Sequence, residues 1–184
     1  IYLHDTYFVV AHFHYTFYPI AIIGTYAGVT YWFPKMFGRM MNPFLGKLHF
    51  WLTIIPFNLI FIPMFINGLA GQNRRIYNYN HFPEMAVPTL QNLRIVATLS
   101  LVFMLLAQFI FLWNFFYSMF KGPKAGNNPW NAATLEWTTT SPAPHGNWKE
   151  LPTCYRGPYE YSTPGRDTDF WPQNEPPTDQ EKAG

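Results

Sequence analysis

The sequence predicts an all-α membrane protein with a long irregular tail, on three observations. Residues 7–33 contain no Lys, Arg, Asp or Glu, and two further apolar runs follow at about 48–69 and 93–120. Only 12% of the 184 residues are charged, about half the usual share. From residue 121 onward the composition turns polar and Pro-rich. The expected organisation is therefore three transmembrane helices within 1–120 and an extended tail over 121–184.

The first run is the most informative. At ~1.5 Å per residue it spans about 40 Å as a helix, enough to cross a bilayer with tilt. It carries His12 and His14. Ionisable residues inside such a span are costly and mark function by default. The i, i+2 spacing points the two imidazoles roughly 200° apart. Zinc-type helical pairs use i, i+4 on one face, so one metal does not easily take both. Two metal centres flanking one helix suit the geometry, and haem iron is a large, membrane-compatible candidate. The competing explanation is a pair of packing histidines, each bonded to a neighbouring helix.

Pro34 is expected to end this span, with Tyr31 and Trp32 at the interface. Pro19 is expected to kink it. Gly24 and Gly28 form a GxxxG spacing that permits close helix contact, although ordinary packing explains it as well. A loop over 34–47 holds Lys35, Arg39 and Lys47. The second span carries Pro56 and Pro63, and the loop at 70–91 holds Arg74, Arg75 and Glu84. Lys121 and Lys124 follow the third span at once.

Basic residues set orientation. The 34–47 loop and the segment after 120 are expected on the cytoplasmic (or matrix) side. The 70–91 loop, with His4 and Asp5, is expected on the opposite face. Arg74 and Arg75 oppose the charge rule there, so the pair is expected to have a specific anionic partner. Guanidinium stays charged and binds carboxylates bidentately. A solvated pair, or anchors to lipid phosphate, is the alternative.

In the tail, NPW at 128–130 and TTTSPAPHGNW at 138–148 argue against regular structure. Frequent aromatics, among them Trp130, Trp137, Trp148, Tyr155, Tyr159, Tyr161, Phe170 and Trp171, argue for order on a surface. Disorder is expected only beyond about Glu175. Cys154 is the single cysteine, which excludes an internal disulfide. A net charge of +2 says little about partners and gives no reason to expect nucleic acid.

HDTYFVVAHFHY at 4–15 resembles the tenth-helix signature of subunit I of the haem-copper oxidases, specifically cytochrome c oxidases. NRRIY at 73–77 resembles that family's propionate-binding arginine pair, and NPWNAATLEWTTTSPAPHGNW the tail of bacterial members. The resemblance covers the last three helices of a twelve-helix bundle. It implies that His12 ligates the high-spin haem a3 at the oxygen site, as the catalytic ligand, and that His14 ligates the low-spin haem a. It implies a magnesium site at His4 and Asp5, and propionate contacts from Arg74 and Arg75.

The implied reaction is reduction of oxygen to water with electrons from cytochrome c, coupled to proton pumping. CuB and its ligands, the cross-linked tyrosine and the second low-spin ligand lie upstream in the family. Expected partners are the N-terminal portion of subunit I, subunit II with its copper site, subunit III and the bilayer. The expected location is a bacterial cytoplasmic membrane, ahead of a mitochondrial inner membrane. A quinol oxidase, or a structural subunit retaining the signature, are the alternatives; Asp5 leans toward cytochrome c.

Two positions depart from the family pattern. Asn73 stands where many members have Pro, and Phe65 where many have His. His49, His81 and His145 read as structural or surface residues. The chain opens on Ile1 and directly on the signature, as expected of a piece of a longer protein or of a split subunit.

Overall fold

A computed structural model describes residues 2–83, 86–160, 167–168 and 171–179. Glu84, Tyr161 and Phe170, and the end of the tail from 180, fall outside the described residues. Helices α1 (Tyr7–Tyr18), α2 (Gly24–Phe37), α3 (Pro43–Leu69) and α4 (Pro88–Lys121) account for the regular structure, with short 3-10 turns at Tyr79–His81 and Leu135–Trp137. There is no strand among the described residues. By length and composition, α3 and α4 can each cross a membrane.

Local chemistry sets where these helices start. Thr6 caps α1, its hydroxyl accepting the Phe8 N–H at 3.3 Å. Asn42 caps α3, its side-chain oxygen accepting from the N–H groups of Phe44 and Leu45, with Pro43 in the first turn. α3 therefore begins at Pro43, ahead of the expected Leu48, and Lys47 lies inside it. α4 likewise begins on a proline, Pro88, ahead of the expected Leu93. A first-turn proline removes no hydrogen bond that the helix needs.

Of the two prolines inside the first rod, Pro34 departs from expectation. Pro19 opens a π-helical stretch, Pro19–Ile23, that joins α1 to α2. The Gly24 N–H reaches the Pro19 carbonyl, an i to i+5 bond. Pro34 does not end the helix; it is buried inside α2. The stop comes at Gly38, whose φ of 65° is left-handed and whose N–H bonds the Pro34 carbonyl at 2.8 Å. Gly24 faces its own helix: a side chain there would meet only the Pro19 carbonyl at 3.7 Å. Among the described residues, the GxxxG spacing makes no contact with another helix at Gly24.

The chain forms two compact units. The first holds Ile1–Gly28 and Asn42–Phe116. Its core is Ala11 of α1, Phe57, Ile60 and Phe61 of α3, and Met104 of α4, with Tyr15, Tyr18, Met64 and Phe65 against it. Phe65 packs edge-on against Phe8 at 4.8 Å and near Tyr15 at 5.6 Å, so an aromatic ring fills this position between α1 and α3. His49 is buried, against Tyr26 and Phe111. Asn42 and Asn114 exchange two 3.0 Å hydrogen bonds and fix the start of α3 against α4.

The second unit holds Val29–Met41 and Tyr117–Gly184. Lys35, expected in a loop, lies in α2 and is buried. Its ammonium donates to the Asn127 carbonyl at 2.8 Å and the Thr139 carbonyl at 2.6 Å, and lies 5.1 Å from the centre of the Trp137 ring. Trp130 donates to the Tyr31 carbonyl at 2.8 Å. Backbone bonds from Met40 to Pro123 and from Ala143 to Lys35 complete the attachment. Side-chain anchors of this kind order a segment that has almost no regular structure of its own.

Candidate haem-ligand helix and arginine site

The site residues all belong to the first unit. His12 and His14 lie on α1 and differ in surroundings as their spacing requires. His12 is exposed, and its imidazole has no hydrogen bond or ring partner among the described residues. His14 is half-buried and stacks on Phe61 of α3 at 4.6 Å. Its Nδ1 lies 2.8 Å from the Val10 carbonyl oxygen. A carbonyl only accepts, so Nδ1 is the donor in this contact and Nε2 is the ring nitrogen left without a protein partner among the described residues. Haem and metal imidazoles are commonly fixed in this way, by a backbone carbonyl on the other nitrogen. Both imidazoles could therefore hold a haem iron.

A two-residue ladder brings the second constellation to the start of α1. Tyr7 donates its N–H to the Gln72 carbonyl at 3.0 Å, and Arg74 donates its N–H to the Asp5 carbonyl at 2.9 Å. Thr6 and Asn73 form the bridge between them. Asn73 thus presents Arg74 through a paired backbone. The close approach depends on Gly68, near the end of α3. A Cβ there would lie 2.7 Å from Phe8 Cα and 2.8 Å from Phe8 Cβ, and closer still to its backbone nitrogen.

Asp5 and Arg75 flank the ladder with φ of 57° and 65°. Non-glycine residues rarely adopt the left-handed region, and it costs on the order of 1 kcal/mol or more each. The Arg74 guanidinium grips Asp5 Oδ1 through Nε at 2.8 Å and Nη2 at 2.5 Å. Asp5 is thus an anionic partner for one member of the arginine pair, where the charge rule called for one. The hydrogen bond from Arg74 holds the Asp5 carboxyl below the usual carboxylate range, with smaller help from His4 and Arg75. Arg75 is exposed.

His4 Nε2 lies 3.2 Å from Asp5 Oδ2. Octahedral magnesium needs about six ligands. No group of three or more His, Cys, Asp or Glu side chains gathers among the described residues. His4 and Asp5 therefore do not fit a complete magnesium site; they fit at most a two-ligand share of one. His81 and His145 are exposed, and Cys154 is free and exposed.

One polar cluster was missed in the sequence. Arg94 of α4 donates to Gln72 Oε1 at 3.2 Å and lies 4.9 Å from the centre of the Tyr79 ring, and the Tyr79 hydroxyl donates to the Tyr7 hydroxyl at 2.8 Å. The signal was present: Arg94 is the one charged residue inside the third apolar run.

Comparison with known proteins adds to this geometry. The family model described as "Cytochrome C and Quinol oxidase polypeptide I" matches residues 1–103. The chain is 44% identical over 177 residues to the "Alternative cytochrome c oxidase subunit 1" of Bradyrhizobium diazoefficiens, covering 95% of this chain and 30% of that protein. It is 44% identical over 175 residues to the "Cytochrome c oxidase subunit 1" of Synechocystis sp., with the same two coverages. The Bacillus subtilis protein of that name is 42% identical over 150 residues, covering 81% of this chain and 23% of that protein. The chain thus spans less than a third of the length of these relatives.

Proposed function

Because this chain belongs to the cytochrome c and quinol oxidase polypeptide I family, we propose that it is the ligand-bearing C-terminal part of the core subunit of a terminal respiratory oxidase, fed by cytochrome c. The observation that carries this is the α1 pair: His12 open on one face, His14 pinned through Nδ1 on the other. His12 would hold the high-spin haem a3 and His14 the low-spin haem a. When bound, the haems and CuB supply the electron transfer and oxygen reduction, coupled in the family to proton pumping. The Val10 carbonyl and Phe61 fix the His14 ring, so Nε2 is aimed without further ordering.

Arg74 and Arg75 would neutralise haem propionates, with Asp5 orienting Arg74 through its forked contact. His4 and Asp5 would lend two ligands to a magnesium site completed by other groups. The partners are the N-terminal portion of subunit I and subunits II and III, in a bacterial cytoplasmic membrane. Large exposed apolar side chains along α4, such as Phe103, Phe109 and Trp113, suit burial against further helices or lipid. Relatives named for cytochrome c support that donor over a quinol.

Pigment and metal analysis of the purified complex carrying this chain is expected to show two spectrally distinct haems together with copper. This polypeptide purified by itself with a bound, oxygen-reactive haem would refute the reading. Topology gives a second expected result. On this reading residues 1–120 cross the membrane three times and 121–184 form a cytoplasmic-side tail, with Arg39, Lys121 and Lys124 near the inner face. Protease added to sealed inside-out vesicles should remove the tail; digestion only in right-side-out vesicles would reverse the orientation.

A further inference from the structure

Two matched stripes face each other where α3 ends and α4 begins. Ile60, Pro63 and Asn67 of α3 recur at i, i+3 and i+7, and Arg94, Thr98 and Leu101 of α4 at i, i+4 and i+7. Such positions share one face of a helix. Here a 280 Å³ hollow lies between the two stripes. A second hollow, of 300 Å³, follows Gln91, Ile95 and Leu99 along α4. Arg94 and Thr98 border both, so one ridge of α4 separates two grooves of similar size. Arg94 contributes to that ridge, not a free charge.

Both grooves grade from polar to apolar. Asn67 and Gln91 lie close to the helix ends at the 70–91 loop, whereas Ile60, Leu99 and Leu101 lie deeper in the spans. The stripe from Ile60 to Asn67 covers about 10 Å, two turns of helix. Close packing rarely leaves a void of this size unfilled. Water does not suit the deep half, because a buried water needs two to four polar partners and the side chains of Ile60, Pro63 and Leu101 offer none. The outer half differs. Asn67 is 2% exposed, and its Oδ1 has no hydrogen-bond partner among the described residues. A buried acceptor in that state costs free energy until a donor reaches it. The Thr98 hydroxyl is already committed to the Arg94 carbonyl at 2.9 Å, so Asn67 is the group that can read a ligand's polar end.

We propose that the two grooves take the two acyl chains of one outer-leaflet diacyl phospholipid, which straddles the Arg94–Thr98 ridge and donates a head-group hydrogen bond to Asn67 Oδ1. The proposal rests on the reading that α3 and α4 cross the membrane with the 70–91 loop outside. Two grooves on either side of one ridge match two chains on one glycerol. Their polar outer ends and apolar depths match the direction in which a lipid lies in its leaflet. The need for a donor selects ethanolamine or glycerol head groups over choline, which has neither N–H nor O–H.

The test uses the purified complex, delipidated in detergent and reloaded with phospholipid of a single head group that carries a diazirine in one acyl chain. After illumination, the labelled residues of this chain are mapped by mass spectrometry. Label is expected at Ala97 or Leu101 in one groove and at Ile95 or Leu99 in the other. At equal, subsaturating concentration, phosphatidylethanolamine is expected to label these residues about fivefold more than phosphatidylcholine, the effect of one hydrogen bond. The two lipids carry the same net charge, so Arg94 does not enter the comparison. In Asn67→Leu, which keeps the side-chain volume, that preference is expected to vanish while labelling by the choline lipid persists. Ala97→Phe, which puts a ring into the groove between α3 and α4, is expected to lose the labels there. Equal labelling by both head groups in the parent, or a preference that survives Asn67→Leu, would overturn the proposal. Label on Phe103 and Phe109, which are exposed on α4, with none in the grooves would also overturn it and leave the membrane reading intact. No label anywhere on α3 or α4 would mean that the membrane reading itself fails. Should Ala97→Phe not assemble, the Asn67→Leu comparison decides.

Discussion

Replacing His14 with alanine is expected to abolish the low-spin haem spectrum and leave the high-spin haem in place, while His12→Ala does the reverse. The two side chains leave one helix about 200° apart, and their surroundings differ accordingly. His14 is seated between the Val10 carbonyl and the Phe61 ring, whereas His12 meets no partner among the described residues. Losing an outer-sphere partner of a metal ligand typically costs about 10–100-fold in affinity or activity, and losing the ligand itself should cost more. Near-complete loss of one haem from each variant is therefore the expected scale.

The two variants should also differ in stability. His14→Ala empties a partly buried site against Phe61, and truncating packed side chains costs on the order of 1 kcal/mol or more. His12→Ala removes no packing among the described residues, so beyond the loss of its haem, which both variants share, it should cost less. Optical spectra and haem extraction on the purified complex read the outcome. The same haem missing from both variants would contradict two centres flanking one helix.

Gly68→Ala is expected to be the most damaging substitution that leaves every candidate ligand intact. The added Cβ would lie 2.7 Å from Phe8 Cα, and nearer to the Phe8 nitrogen. Both are backbone atoms, so no rotamer change can relieve the clash. The start of α1 must move off the end of α3. That strains the bonds from Tyr7 to Gln72 and from Arg74 to Asp5, and with them the forked Asp5–Arg74 contact. Overpacking alone costs about 1–3 kcal/mol, and a rigid backbone obstacle places this site at the upper end or above. Gly46→Ala is the matched control: it lies in α3 with nothing within 4 Å of its added Cβ, and alanine is the better helix former. Thermal unfolding and haem content of the complex should fall for Gly68→Ala and hold for Gly46→Ala. Equal melting and haem loading in both would mean that α1 and α3 are not held at this distance.

Much of the site was legible because helix geometry is local. An i, i+2 pair of histidines must diverge on any α-helix, so the two faces of α1 follow from the order of residues 12–14 alone. The apolar runs mark α3 and α4 for the same reason: their composition needs no partner to be read. Signals in conflict were harder. Pro34 read as the stop and is not one, whereas Gly38, which was not singled out, is, because one missing N–H is tolerated inside a helix and a left-handed residue is not.

Tertiary structure alone decided the rest. The Asp5–Arg74 contact spans 69 positions, and no local pattern encodes it; it exists because Gly68 lets two backbones meet. Lys35 reads as a loop cation until Asn127 and Thr139 are folded onto it. Arg94 was visible as a charge in an apolar run, but its side of the helix bundle was not. Which face a long helix turns toward its neighbours depends on packing energies summed over many residues far apart in sequence, and those form only once the helices are together.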